Sequence, residues 1–93
     1  MVKMNKDDQP ICEISSTGNK WWYLDDHLHR EDGPAVEYDD GTKYWYFHGQ
    51  CHRLDGPAQE YTDGSKFWWY YGKYIKCSSQ KEFEQLIKLR ALW

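Results

Sequence analysis

Aliphatic side chains and long apolar runs are scarce in this chain of 93 residues. No segment approaches the roughly 20 apolar residues that a bilayer-spanning helix needs, so no membrane association of that kind is expected. The opening MVKMNKDDQP lacks the apolar core of a secretory signal, and a cytoplasmic location is expected. Basic residues do not predominate: 12 Lys and Arg stand against 15 Asp and Glu, a net charge of −3. That balance argues against a general nucleic-acid binder. Cysteine is limited to three residues, too few and too irregular for a disulfide framework. They read instead as small hydrophobes.

Aromatic residues are abundant, at 18% of the chain. A chain this short buries roughly 60–70% of its unfolded surface, and here the core must be built from rings, which carry large apolar areas.

The rings recur with a period. HREDGPAVEYDDGTKYWY starts at His29 and HRLDGPAQEYTDGSKFWW starts at His52, a spacing of 52 − 29 = 23 residues. Gly18, Gly41 and Gly64 keep the same spacing, as do Trp22, Trp45 and Trp68. The chain is therefore read as a short repeat array in one domain. An N-terminal extension covers 1–12, hairpin repeats cover 13–77 and a capping helix covers 78–93. The first and last units are atypical, as end units usually are.

Asp40-Gly41 and Asp63-Gly64 lie between strand-prone runs and signal hairpins with type I′ turns. Second turns are expected at Asp25-Asp26, His48-Gly49 and Tyr71-Gly72. In the Asp-Gly-Pro-Ala step, Asp32 and Asp55 read as turn residues that accept backbone hydrogens. Gly33 and Gly56 read as conformationally permissive, and Pro34 and Pro57 start strands. Ser79 and Glu82 have capping-box spacing, and Phe83, Leu86, Ile87, Leu89/Arg90 and Trp93 follow as an apolar stripe, predicting a helix over about 80–92. The predicted fold is mainly β: an antiparallel meander of stacked β-hairpin repeats, about three 23-residue units, capped by one C-terminal α-helix.

Alternation along the strands puts Trp22, Trp45 and Trp68 on one face, taken as the core, with Trp45 at its centre. The opposite face carries Trp21, Tyr23, Tyr44, Tyr46, Phe67 and Trp69. With Arg30 and Arg53, these six rings are the candidate binding residues, because a contiguous aromatic patch marks a partner site. The paired His29-Arg30 and His52-Arg53 recur in register, which favours a repeated structural job over catalysis, with Arg30 the better candidate for contact. Arg30 is expected to pair with Asp32 or Glu37, and Arg53 with Asp55 or Glu60. His27, His29, His48, Cys51 and His52 match no familiar zinc spacing. No catalytic residue, metal or cofactor is expected.

The period, the DGTKYWYFHGQCH pattern and the HREDGPA and HRLDGPA signatures resemble MORN-type repeats. More specifically, they resemble the HREDGPA repeat proteins of phages, bacteria and large viruses. The resemblance covers about residues 13–76, although the spacing from His29 to Gly41 is about two residues longer than in the common MORN unit. It implies a stacked-hairpin scaffold without shared chemistry. It also implies a phage-encoded accessory protein that binds and blocks a host defence factor in the host cytoplasm, in the manner of an anti-CRISPR inhibitor. The expected function is thus a non-enzymatic protein-binding module using the aromatic face. Two alternatives are a small-ligand or nucleotide binder using rings and Arg side chains, and a self-assembling repeat protein that forms a homodimer.

Overall fold

The computed structural model describes residues 9–90. Among these, ten short strands precede one helix: β1 (Ile11–Ile14), β2 (Lys20–Leu24), β3 (His27–Leu28), β4 (Val36–Glu37), β5 (Lys43–Tyr44), β6 (Tyr46–Phe47), β7 (Gln50–Cys51), β8 (Gln59–Glu60), β9 (Lys66–Tyr70), β10 (Lys73–Ile75) and α1 (Gln80–Arg90). All pairings are antiparallel, in the order β1-β2-β4-β5-β8-β9-β10, with β3 also beside β2 and a separate β6-β7 pair. The mainly β repeat with one C-terminal helix agrees with the sequence reading. β1 begins at Ile11, inside the stretch assigned to an extension.

The first two aromatic segments fork. In unit one, Lys20 and Trp21 pair with β4 of the next unit, whereas Tyr23 and Leu24 pair with their own short strand β3. Trp22 sits at the fork. Its N–H donates to Ala35 O at 2.8 Å, and its carbonyl accepts from His29 N–H at 3.0 Å. Trp45 repeats the arrangement with Ala58 and His52, at 2.8 and 3.0 Å. Ala35 and Ala58 are fully buried beneath the fork.

The type I′ geometry expected at the Asp-Gly turns is found in the second turns instead. Asp25 and Asp26, His48 and Gly49, and Tyr71 and Gly72 all have positive φ, as both central residues of a type I′ turn require. At Asp40-Gly41 only Gly41 does, with φ 98°. Gly41 N–H donates to Tyr38 O and Tyr38 N–H to Thr42 O, a type I turn with a glycine bulge. Asp40 and Asp63 close these loops by accepting the Thr42 and Ser65 amides at 2.9 and 2.8 Å. These hydrogen bonds lower both carboxyl pKa values.

The hydrophobic cluster centres on Trp68 rather than Trp45. Trp68, Ile75 and Phe83 are buried together, with Tyr70, Cys77, Leu86 and Ile87 packed against them. Trp45 is only half-buried, and α1 packs on Trp68 instead. Ser79 caps α1 through Glu82 N–H, and Glu82 returns to the Ser78 amide rather than to that of Ser79. Leu89 is 56% exposed and leaves the expected apolar stripe; Trp93 lies outside the described residues. The three cysteines are free, and burial pushes the Cys51 thiol up to about 12.

Trp68→Ala is expected to cost about 3–5 kcal/mol through the cavity it leaves, and Trp45→Ala distinctly less. Urea unfolding of both variants checks the ranking, and a larger loss at Trp45 would contradict it.

Candidate functional site

The His-Arg-x-Asp-Gly-Pro loops form identical clamps. The Arg30 guanidinium lies 3.8 Å from the centroid of Trp22, and Arg53 lies 3.8 Å from that of Trp45. Arg30 Nε donates to Asp32 at 3.0 Å, and its Nη1 donates to Pro34 O at 3.1 Å and to Glu37 at 3.2 Å. Arg53 repeats these contacts with Asp55, Pro57 O and Glu60 at 2.9, 3.0 and 3.1 Å. Each arginine therefore pairs with both expected carboxylates. The two aspartates accept from arginine, not from the backbone as the sequence suggested.

Gly33 and Gly56 are required for space rather than conformation, since neither has positive φ. A Cβ at either position would come within 2.9 or 2.7 Å of the arginine Cζ. Behind the clamps, the strand register lines up Lys20, Glu37, Lys43, Glu60 and Lys66 with alternating charge, a favourable cross-strand order.

The histidines join units. His29 Nδ1 accepts the His48 amide hydrogen and His52 Nδ1 accepts that of Tyr71, both at 2.8 Å. An accepting Nδ1 leaves the hydrogen on Nε2. Burial lowers the pKa of His52 from its ordinary 6.5. Tyr71 stacks on it, with ring centroids 3.7 Å apart and planes 17° apart.

A groove of about 600 Å³ opens between the two loops. Arg30–Gly33 and Arg53–Asp55 form its sides, and Trp45, Phe47, His52 and Tyr71 complete the lining.

The opposite face carries a continuous ladder of rings. It runs Trp21–Tyr38–Tyr44–Tyr61–Phe67–Tyr74–Trp69, with successive centroids 5.6–6.5 Å apart. Most contacts are edge-to-face, the arrangement the ring quadrupole favours. Val36 is buried between Trp21 and Tyr44, and Gln59 accepts the Trp69 indole hydrogen at 3.1 Å. Hydrogen bonding with Tyr61, then burial, raises the Tyr44 phenol pKa; burial also raises that of Tyr46. Tyr38 and Tyr74 are 36% and 48% exposed, while the other ladder rings are half-buried.

The predicted binding residues therefore separate. Trp21, Tyr44, Phe67 and Trp69 stand in the ladder. Tyr23 and Tyr46 occupy strand positions on the same face, opposite Leu28 and Cys51. Arg30 and Arg53 lie on the other face, and the matching of their clamps removes the expected preference for Arg30 as a contact residue. The sequence reading missed Tyr38, Tyr61 and Tyr74 of the ladder, although Tyr38 and Tyr61 keep the 61 − 38 = 23 spacing. It also missed Phe47, Leu54 and Tyr71 of the groove. Among the described residues, no group of three or more His, Cys, Asp or Glu is placed to hold a metal ion. Comparison with family models, curated proteins and solved structures gives no match.

Arg30→Ala and Arg53→Ala are expected to lose similar stability, about 2 kcal/mol each, since charge-assisted hydrogen bonds and the ring contact go together. Denaturant titrations that differ widely between the two would contradict equivalent clamps. The lowered His52 pKa favours the folded state fully above 6.5, and that contribution is lost as pH falls below it. The urea midpoint is expected to drop between about pH 7.5 and about pH 5.5, with a smaller drop in His52→Gln. An unchanged profile in that variant would contradict this role.

Proposed function

We propose that this chain is a non-catalytic protein-binding module that docks a partner protein on its aromatic ladder. One observation carries the reading. Seven rings form an unbroken, partly exposed run on a face that α1 leaves uncovered. Trp68 and Ile75, against which the helix packs, belong to the other face. The paired strand positions on the ladder face include a single charged residue, Glu13, opposite Trp21. Charge depletion with Tyr and Trp enrichment is the composition of an interface centre. The molecule measures 45 × 32 × 16 Å, so this thin slab has breadth for the roughly 800 Å² per partner of a standard interface.

The repeat resemblance extends the proposal to the partner's class: a host defence factor met in the cytoplasm by a phage-encoded inhibitor. A nucleotide reading has less support, because both arginines are already engaged by two carboxylates and a carbonyl.

Tyr38→Asp and Tyr74→Asp place charge at the two most exposed ladder rings, each of which also touches two neighbouring rings. Both variants are expected to melt within a few degrees of the parent and to lose a partner that the parent recovers stoichiometrically from host lysate. Tyr44→Ala is a poorer probe, since Tyr44 is half-buried between Tyr38 and Tyr61. A parent that recovers no partner, and is monomeric by light scattering, would contradict the proposal.

A further inference from the structure

In a repeat array, side chains that recur in register do the same structural job, so departures from the period mark where one unit differs from the next. Two departures meet at the groove. Leu54 stands where unit one has Glu31, and Tyr71 stands where unit two has His48. In unit one, His29 Nε2 faces Glu31 Oε2 at 3.4 Å. With leucine in that place, His52 Nε2 has no hydrogen-bond partner among the described residues. His52 is only 9% exposed, and its Nδ1 already accepts the Tyr71 amide. Its Nε2 therefore carries a hydrogen, and the ring is part of the groove wall. The groove thus holds a built, unused donor beside Phe47 and Tyr71.

The rim sets the charge of what enters. Asp32 and Asp55 each accept one arginine Nε, yet both side chains are 87% exposed and retain free lone pairs. Glu31 is 75% exposed, with His29 Nε2 as its one side-chain neighbour at 3.4 Å among the described residues. Arg30 and Arg53 are held on their tryptophans by Glu37, Glu60 and the proline carbonyls. The outward charge is therefore negative, which repels phosphate and attracts a cation. The tryptophans beneath the loops lie two strands apart, a spacing of roughly 10 Å, the width of a single extended chain.

We propose that this groove binds a basic peptide segment: a Lys or Arg side chain lies along Phe47 and Tyr71 with its charge against Glu31, Asp32 and Asp55, and an adjacent peptide carbonyl accepts the Nε2–H of His52. Rings and carboxylates together suit a desolvated cation, as in aromatic cages for ammonium groups. The site is on the face opposite the ladder, so it neither requires nor excludes a partner there.

Titration of the full chain with acetylated, amidated Ala-Arg-Ala and Ala-Lys-Ala, followed by NMR, tests this. The Trp45 indole and His52 imidazole signals are expected to move, and the ladder tryptophans Trp21 and Trp69 to stay. Glu31→Lys, at an exposed position, is expected to weaken binding about fivefold, whereas Tyr38→Asp leaves it unchanged. The proposal is overturned if neither peptide shifts these signals at millimolar concentration. It is also overturned if Ala-Glu-Ala or adenosine monophosphate binds as well, or if Glu31→Lys has no effect on affinity.

Discussion

The arginine seated on a tryptophan is the contact on which the rest of the array depends. A guanidinium is planar and always charged, so it can cover a ring and still direct its hydrogens sideways into a fork of acceptors. Here those acceptors belong to three structural levels. Asp32 or Asp55 holds the loop, the proline carbonyl holds the turn, and Glu37 or Glu60 holds the neighbouring strand. The tryptophan below is the residue at which each long strand forks between units. One side chain therefore fixes the loop, the fork and the strand register together. The glycine is required because a Cβ would strike the guanidinium.

The end of the array shows what replaces the clamp. In the third unit Lys76 takes the arginine position and is exposed. Trp68 instead donates its indole hydrogen to Gln80 Oε1 at 2.8 Å, and Gln80 Nε2 donates to Leu54 O at 2.8 Å. Phe83, fully buried, covers the ring. The helix thus performs for Trp68 the covering and bridging that Arg30 and Arg53 perform earlier. This is why the hydrophobic cluster gathers at one end while the first two tryptophans stay half-buried.

The period made the fold class legible, because 23-residue recurrence of Gly, Lys and Trp requires recurrent geometry. Strand alternation also separated Trp21, Tyr44 and Phe67 from Trp22, Trp45 and Trp68. What the sequence concealed was tertiary. Asp-Gly suggests a type I′ turn locally, but the left-handed pairs occur at Asp25-Asp26, His48-Gly49 and Tyr71-Gly72. There the histidine of the preceding loop, His29 or His52, receives the amide of His48 or Tyr71, a contact between residues 19 apart that local propensity cannot reveal. The grouping of arginines with rings failed for a related reason: both are interface-prone residue types, yet the sheet stands between them. Tyr38 and Tyr61 complete the ladder from positions beside the turns, where alternation no longer indicates a face.

Two faces of one thin sheet therefore differ in kind. One is organised by charge and cation–π contacts, the other by edge-to-face rings with little charge. The first holds the repeat together, and the second is the face on which the proposed partner would dock. A double-mutant cycle between Arg53 and Trp45, using Arg53→Gln and Trp45→Leu and repeated for Arg30 and Trp22, tests that division most directly. The account predicts a coupling energy of about 1 kcal/mol or more, similar in both units. Coupling indistinguishable from zero in either unit would contradict it.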